Sequence, residues 1–359
     1  MLLEKPRIPM RDVLLFGLLP GVLKIWVYRL RGYRIGKRVS IGFGSVICAD
    51  QVEVGDDTKV GFFTIIRGKQ VKIGSRVQIG STTFLDTPYL EIGEGTKINE
   101  QVFVGGLQFP DSKLVVGRNC QIMQMSFINP SRNITIGDDT GIGGHSLIFG
   151  HTSWLSQFEG YPVDFQPIEI GSSVSLSWRV FVLPGTKIGD GAVIGANSVV
   201  SRTVPPRCLS LGFPARVVAQ SPEFPKTLDD EEKRKILRNI MDDLVKYYSQ
   251  SGLEVSVEGN DYEIRQIKRN RFRTKERKWG MRVLYGDVNE GDVPNRSSGN
   301  GIDVFLSLNE IPGEIRSRLT AGNITWLDIN RKEQSLDTNE LGDEVSLFLK
   351  RYGVRTLRV

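Results

Sequence analysis

Two histidines, His145 and His151, and three cysteines, Cys48, Cys120 and Cys208, are the scarce reactive side chains of this sequence. Imidazole titrates near neutral pH and can both take and return a proton, so a catalytic imidazole must be one of these two. Two histidines cannot build a three-His metal site within one subunit. The cysteines lie far apart with no C-x-x-C spacing, which argues against a thiolate zinc site and a disulfide framework; no metal is expected, and the thiols suit a reducing compartment. His151 opens an insertion, FGHTSWLSQFEGYPVDFQPIEI, that also carries Trp154, Phe158, Tyr161 and Phe165 beside Glu159 and Asp164. Aromatic rings next to polar groups suit sugar faces, with Trp154 and Tyr161 as candidate acceptor contacts, although a loop of this size also needs rings to pack itself. His145 lies instead inside a regular stretch, GIGGHSLI, as a second candidate contact or a polar surface residue.

The elements that must hold these residues are set by a repeat. With 359 residues, 40% hydrophobic and 25% charged, the composition is that of a globular chain and excludes disorder, collagen and a polytopic membrane protein. Its 39 glycines exceed the usual share and prompt a search for periodicity. From Ile35 to Val200 an aliphatic residue recurs every six positions, often followed by Gly, in 24 in-phase positions that group as eight sets of three. A six-residue period is neither 3.6 nor 2, and it is a β-helix repeat. Each aliphatic residue then points inward from a short strand, with the following Gly expected to ease the turn at each corner. The predicted architecture is mainly β: a parallel β-helix of about eight coils over 35–220, an N-terminal helical segment over 1–34 and a small C-terminal α/β domain over 227–359. The repeat is broken by a short bulge between Val104 and Val116 and by the longer excursion that starts at His151.

At PIEIGSSVSLSWRVFVLPGTKIGDGAVIGANSVVSRTVP and LGFPARVV the sequence resembles the hexapeptide-repeat acyltransferases, in their acetyl-CoA-dependent O-acetyltransferase branch. The resemblance implies a left-handed parallel β-helix, acetyl-CoA as acyl donor, a homotrimer, and His151 as the general base, placed just before an extended loop and the P-I-x-I-G return. It places the pantetheine arm against Ser177, Gly195, Ala196 and Ser198, and Arg202 and Arg216 near the coenzyme phosphates, where a fork of fixed donors suits the task. Backbone N–H groups around Ser175 to Trp178 are the expected oxyanion donors, and Glu159 or Asp164 the expected orienting carboxylate. One departure is Ser175-Leu176-Ser177 where the family commonly carries W-I-G.

The stretch Val13 to Tyr28 is apolar but interrupted, too short to span a bilayer comfortably. Flanked by Lys5, Arg7, Arg11, Lys24, Arg29, Arg31 and Arg34, residues 5–34 read either as an interfacial anchor for an anionic leaflet or as a helix capping the first coil, roles one helix can combine. Beyond residue 227, Ile236, Ile240, Leu244 and Tyr247 mark a helical stripe, and a mixed α/β unit of no recognised family follows. The run Arg265 to Lys278 holds eight basic residues against one acidic, yet with only Phe272 interleaved it favours a solvated strand face or lipid over nucleic acid. The formal charge of +6 permits an anionic partner. The reading is a cytoplasmic enzyme, peripheral on the inner membrane face, that moves acetyl from acetyl-CoA to a sugar hydroxyl of a surface polysaccharide precursor. An N-acetyltransferase on a nucleotide-linked amino sugar and a non-catalytic β-helix scaffold are the alternatives.

Overall fold

The computed structural model describes residues 8–152, 155–270, 273–293 and 301–359, with the side chains of 268–275 left aside. The chain divides into two compact units, 1–227 and 228–359.

The first unit is a left-handed parallel β-helix of eight coils. Its three faces are parallel sheets whose strands pair in strict coil order: Ile35 beside Val54 beside Ile73 on the first face, Ile41 beside Val60 beside Ile79 on the second, Ile47 beside Ile66 beside Leu85 on the third. All 24 in-phase aliphatic side chains are buried in one continuous column. Burial of this kind stabilises by about 25 cal/mol per Å² of apolar surface removed from water.

The glycines after the aliphatic positions serve a purpose different from the expected one. A Cβ on Gly42 would stand 2.4 Å from the Gly61 carbonyl oxygen, and one on Gly143 would stand 2.4 Å from that of Ser177. Close approach of the next coil's backbone, and not turn conformation, requires Gly there. The left-handed turn conformation falls two residues later. At the corner between the second and third faces it is taken in successive coils by Gly44, Phe63, Thr82, Gln101, Met125, His145, Arg179 and Asn197. The next residue at each corner is small and buried: the Ser45 hydroxyl donates to Gly61 O (2.6 Å) and accepts from Thr64 N–H (2.8 Å), tying one coil to the next.

The open edge of the first coil is covered by a helix, Gly21–Leu30. Lys24 is buried and its Nζ donates to the carbonyls of Gly42 and Ser45 (both 2.8 Å) and of Gly17 (3.3 Å), while burial brings its pKa down to about 8. Tyr28, also buried, accepts the Ile47 N–H at 2.9 Å. These two residues therefore leave the set of basic and aromatic groups expected to face a membrane. At the far end Cys208–Gly212 joins the second face and pairs antiparallel with Ala215–Gln220.

The second unit is a seven-stranded mixed sheet with helices Asp230–Gln250, Gly313–Ala321 and Glu340–Leu349. Asp229 and Glu232 form a capping box at the start of the first helix. Its buried stripe is Leu237, Ile240, Met241, Leu244 and Tyr248, one residue round from the predicted one, so Ile236 and Tyr247 are largely exposed. The basic run lies in a hairpin of Asp261–Asn270 with Arg273–Leu284.

Candidate active site

Tight turns occupy two corners of the prism, whereas the corner from the third face back to the first is open, and both interruptions of the repeat leave there. The first departs after Phe103–Val104, the second after Leu147–Phe149. They meet in space: the Phe109 ring packs edge-on against Phe165, with centroids 5.3 Å apart, and the Arg132 guanidinium lies 4.0 Å over Phe109.

His151 sits at this junction. It begins a two-residue antiparallel ladder, His151 opposite Phe165 and Thr152 opposite Asp164, that clamps the base of the long loop. Its imidazole stacks on Phe165 (6.0 Å, 11°) and lies 6.0 Å from Phe149. Phe149 belongs to a row of outward rings on the third face, Phe84, Phe103, Phe127 and Phe149, spaced 4.9–5.1 Å, with Phe181 edge-on beyond it at 5.6 Å. This apolar packing desolvates the ring and pushes its pKa below the ordinary imidazole value. Nδ1 is buried without a hydrogen-bond partner among the described residues. Two more orphaned atoms lie along the same open corner, one coil earlier: Asn129 Oδ1 and Ser131 Oγ, both on buried residues. They are neighbours of the loop base, since Gly150 N–H donates to Asn129 O (3.0 Å) and a Cβ on Gly150 would stand 2.9 Å from Ser131 Oγ. Buried polar atoms are seldom left unpaired.

Asn129, Ser131 and the phenylalanine row were not singled out from the sequence. The signal available was a Phe just before the inward aliphatic residue in three successive coils, Phe84-Leu85, Phe103-Val104 and Phe127-Ile128. Asn129 carried none, because its significance lies in stacking under a loop that begins more than 20 positions later.

The other candidates fall as follows. Neither Glu159 nor Asp164 orients His151: Glu159 is exposed in the turn Gln157–Glu159, and Asp164 accepts from Gln166 Nε2 at 3.0 Å. Tyr161 is exposed, and Trp154 lies outside the described residues. His145 is exposed at its corner with its ring 5.9 Å from that of Trp178, which covers Gly144. The N–H groups of Ser175 and Ser177 are bonded to the carbonyls of Ala192 and Ile194 in the next coil, so they are not free oxyanion donors. Ser198 belongs to the buried corner column, and its hydroxyl accepts the Gly212 N–H at 3.0 Å. Over Gly195, a Cβ would collide with Leu211 Cδ2, so Leu211 fills the space expected for a ligand. Ala196, Arg202 and Arg216 are exposed, and Ser177 is partly so.

No family model matches the chain. Among curated relatives, a Staphylococcus aureus protein named "Putative acetyltransferase" is 44% identical over 89 residues, covering 24% of this chain and 42% of its own length. A "Putative lipopolysaccharide biosynthesis O-acetyl transferase" of Escherichia coli, WbbJ, is 36% identical over 112 residues, or 28% of this chain and 57% of the relative. Over these stretches the β-helix is similar to acetyltransferases and resembles the hexapeptide-repeat acyltransferases. This chain spans about half the length of those relatives. Solved structures of hexapeptide-repeat proteins are similar to it at lower identity. A Vibrio cholerae hexapeptide-repeat acetyltransferase is 21% identical, covering 59% of this chain and 87% of its own, with a TM-score of 0.26. A polysialic-acid-specific acetyltransferase, NeuO, is 16% identical, covering 58% and 98%, with a TM-score of 0.28.

Proposed function

We propose that the protein transfers acetyl from acetyl-CoA to a hydroxyl of a sugar in a surface polysaccharide or its precursor, with His151 as general base. The observation that carries this reading is the desolvated imidazole of His151, clamped between Phe149 and Phe165 where both loops leave the prism. Depression of its pKa keeps the ring neutral and ready to accept a proton at neutral pH. With Nδ1 turned into protein, Nε2 takes the acceptor's hydroxyl proton, the oxygen attacks the thioester carbonyl, and the tetrahedral adduct collapses to ester and thiolate. The same imidazolium returns its proton to the sulfur, giving CoA-SH. The name of the Escherichia coli relative supports oxygen over nitrogen as the acceptor atom.

In this reading three copies pack side by side, and the coenzyme lies between neighbours along Ser177, Ala196 and Leu211, with Arg202 and Arg216 at its phosphates. The reaction takes place on the cytoplasmic side, where the donor is made. The test is thiol release from acetyl-CoA with candidate glycans. His151→Ala lowers turnover on the order of 10² or more while leaving the fold intact. Unchanged turnover removes His151 from the mechanism, and an acetylated product that resists mild alkali identifies an amide and hence an amino sugar.

A further inference from the structure

The helix Gly21–Leu30 has two faces with different fates. Its inner face closes the first coil through Lys24 and Tyr28. Its outer face presents Val22, Trp26 and Leu30 at four-residue spacing with Leu23 beside them, with exposures of 81%, 61%, 68% and 51% respectively. The preceding helical turns add Met10, Leu14, Leu15 and Leu18, each more than half exposed. The two helical segments are bent by 119° at a short break, and no single helix is long and apolar enough to cross a membrane among the described residues. A soluble monomer rarely exposes such a run of large apolar side chains.

Charge identifies what covers them. Residues 8–38 hold seven Lys and Arg against one Asp, so this short segment carries the whole net charge and the rest of the chain is balanced. Arg31, Arg34 and Arg38 pair with Asp12, Glu53 and Asp57, whereas Arg11, Arg29 and Lys37 make no ion pair among the described residues. A second copy laid on this face would bring cation against cation. An anionic bilayer interface accepts both the apolar stripe and its basic rim.

We propose that the N-terminal helix pair is a docking surface for anionic membrane, lying in the interface and holding the first coil toward the lipid. The inference stands on this segment alone and is independent of the reaction assigned to His151. It is tested with the full chain on vesicles of phosphatidylcholine alone and with added phosphatidylglycerol. Sedimentation with the anionic vesicles, a blue shift of tryptophan emission on binding, and release by high salt are expected. The combined change Val22→Ser, Trp26→Ser and Leu30→Ser should weaken binding by about tenfold or more with an unchanged circular dichroism spectrum, since none of the three is buried. Absence of binding to anionic vesicles, or binding indifferent to the triple change, overturns the proposal. So does a lipid-independent oligomer, seen by light scattering, that the triple change dissolves: that result assigns the stripe to a second copy.

Discussion

Burial of His151 has consequences for pH in two observables. Desolvation disfavours the imidazolium in the folded protein, so the folded pKa lies below the ordinary value near 6.5. The unfolded chain therefore binds the proton first as pH falls, and the stability this residue contributes is lost as pH drops through 6.5 toward the folded pKa. A series of chemical unfolding curves should show that loss, and His151→Phe, which keeps a ring between Phe149 and Phe165, should diminish it. For catalysis the same shift moves the acid limb of the kcat/KM profile to below 6.5, because the neutral ring persists to lower pH. An acid limb above 6.5 contradicts this placement. Asn129 offers a further check at the residue scale. Its Oδ1 is unpaired in a buried position, so Asn129→Ala costs less stability than an ordinary buried hydrogen-bonding residue, under about 1 kcal/mol. A drop in turnover despite an unchanged melting curve would mark Asn129 as part of the site.

At the scale of the coil, two classes of glycine make opposite predictions. Gly143 has the Ser177 backbone against it, and Gly143→Ala should destabilise by about 1–3 kcal/mol through overpacking that no rotamer change relieves. Gly95 occupies the left-handed corner with open space around it, and the equivalent corner of the next coil carries Asn119 in the same conformation. Gly95→Asn should therefore stay within about 0.5 kcal/mol of the parent. Thermal unfolding of the two variants side by side distinguishes close approach from turn conformation. Lys24→Met tests the end of the stack: loss of three hydrogen bonds to buried carbonyls should cost about 2–3 kcal/mol and loosen Gly21–Leu30 before the coils themselves.

At the scale of the whole molecule, each unit has its own hydrophobic core, one running the length of the β-helix and the other two flanking the mixed sheet. Residues 1–227 and 228–359 expressed separately should each melt cooperatively, and the first should retain thiol release if His151 and its surroundings suffice for the reaction. Failure of either piece to fold would mean that the boundary near residue 227 cuts a shared core.

The coil count, the inward column and the two interruptions of the repeat were readable in the sequence, because a six-residue period leaves each aliphatic side chain a single place to go. Which side chains gather around His151 was not, since Phe109, Asn129, Ser131 and Phe165 are separated along the chain and brought together only when coils stack and two loops leave the same edge. Stacking also took Ser198 and the Ser175 and Ser177 amides out of the site: their hydrogen bonds are spent between coils, a cost that a linear pattern does not display. The repeat settled the scaffold by burial of its aliphatic column, and the contact of one coil with the next decided which groups on its surface remain free to act.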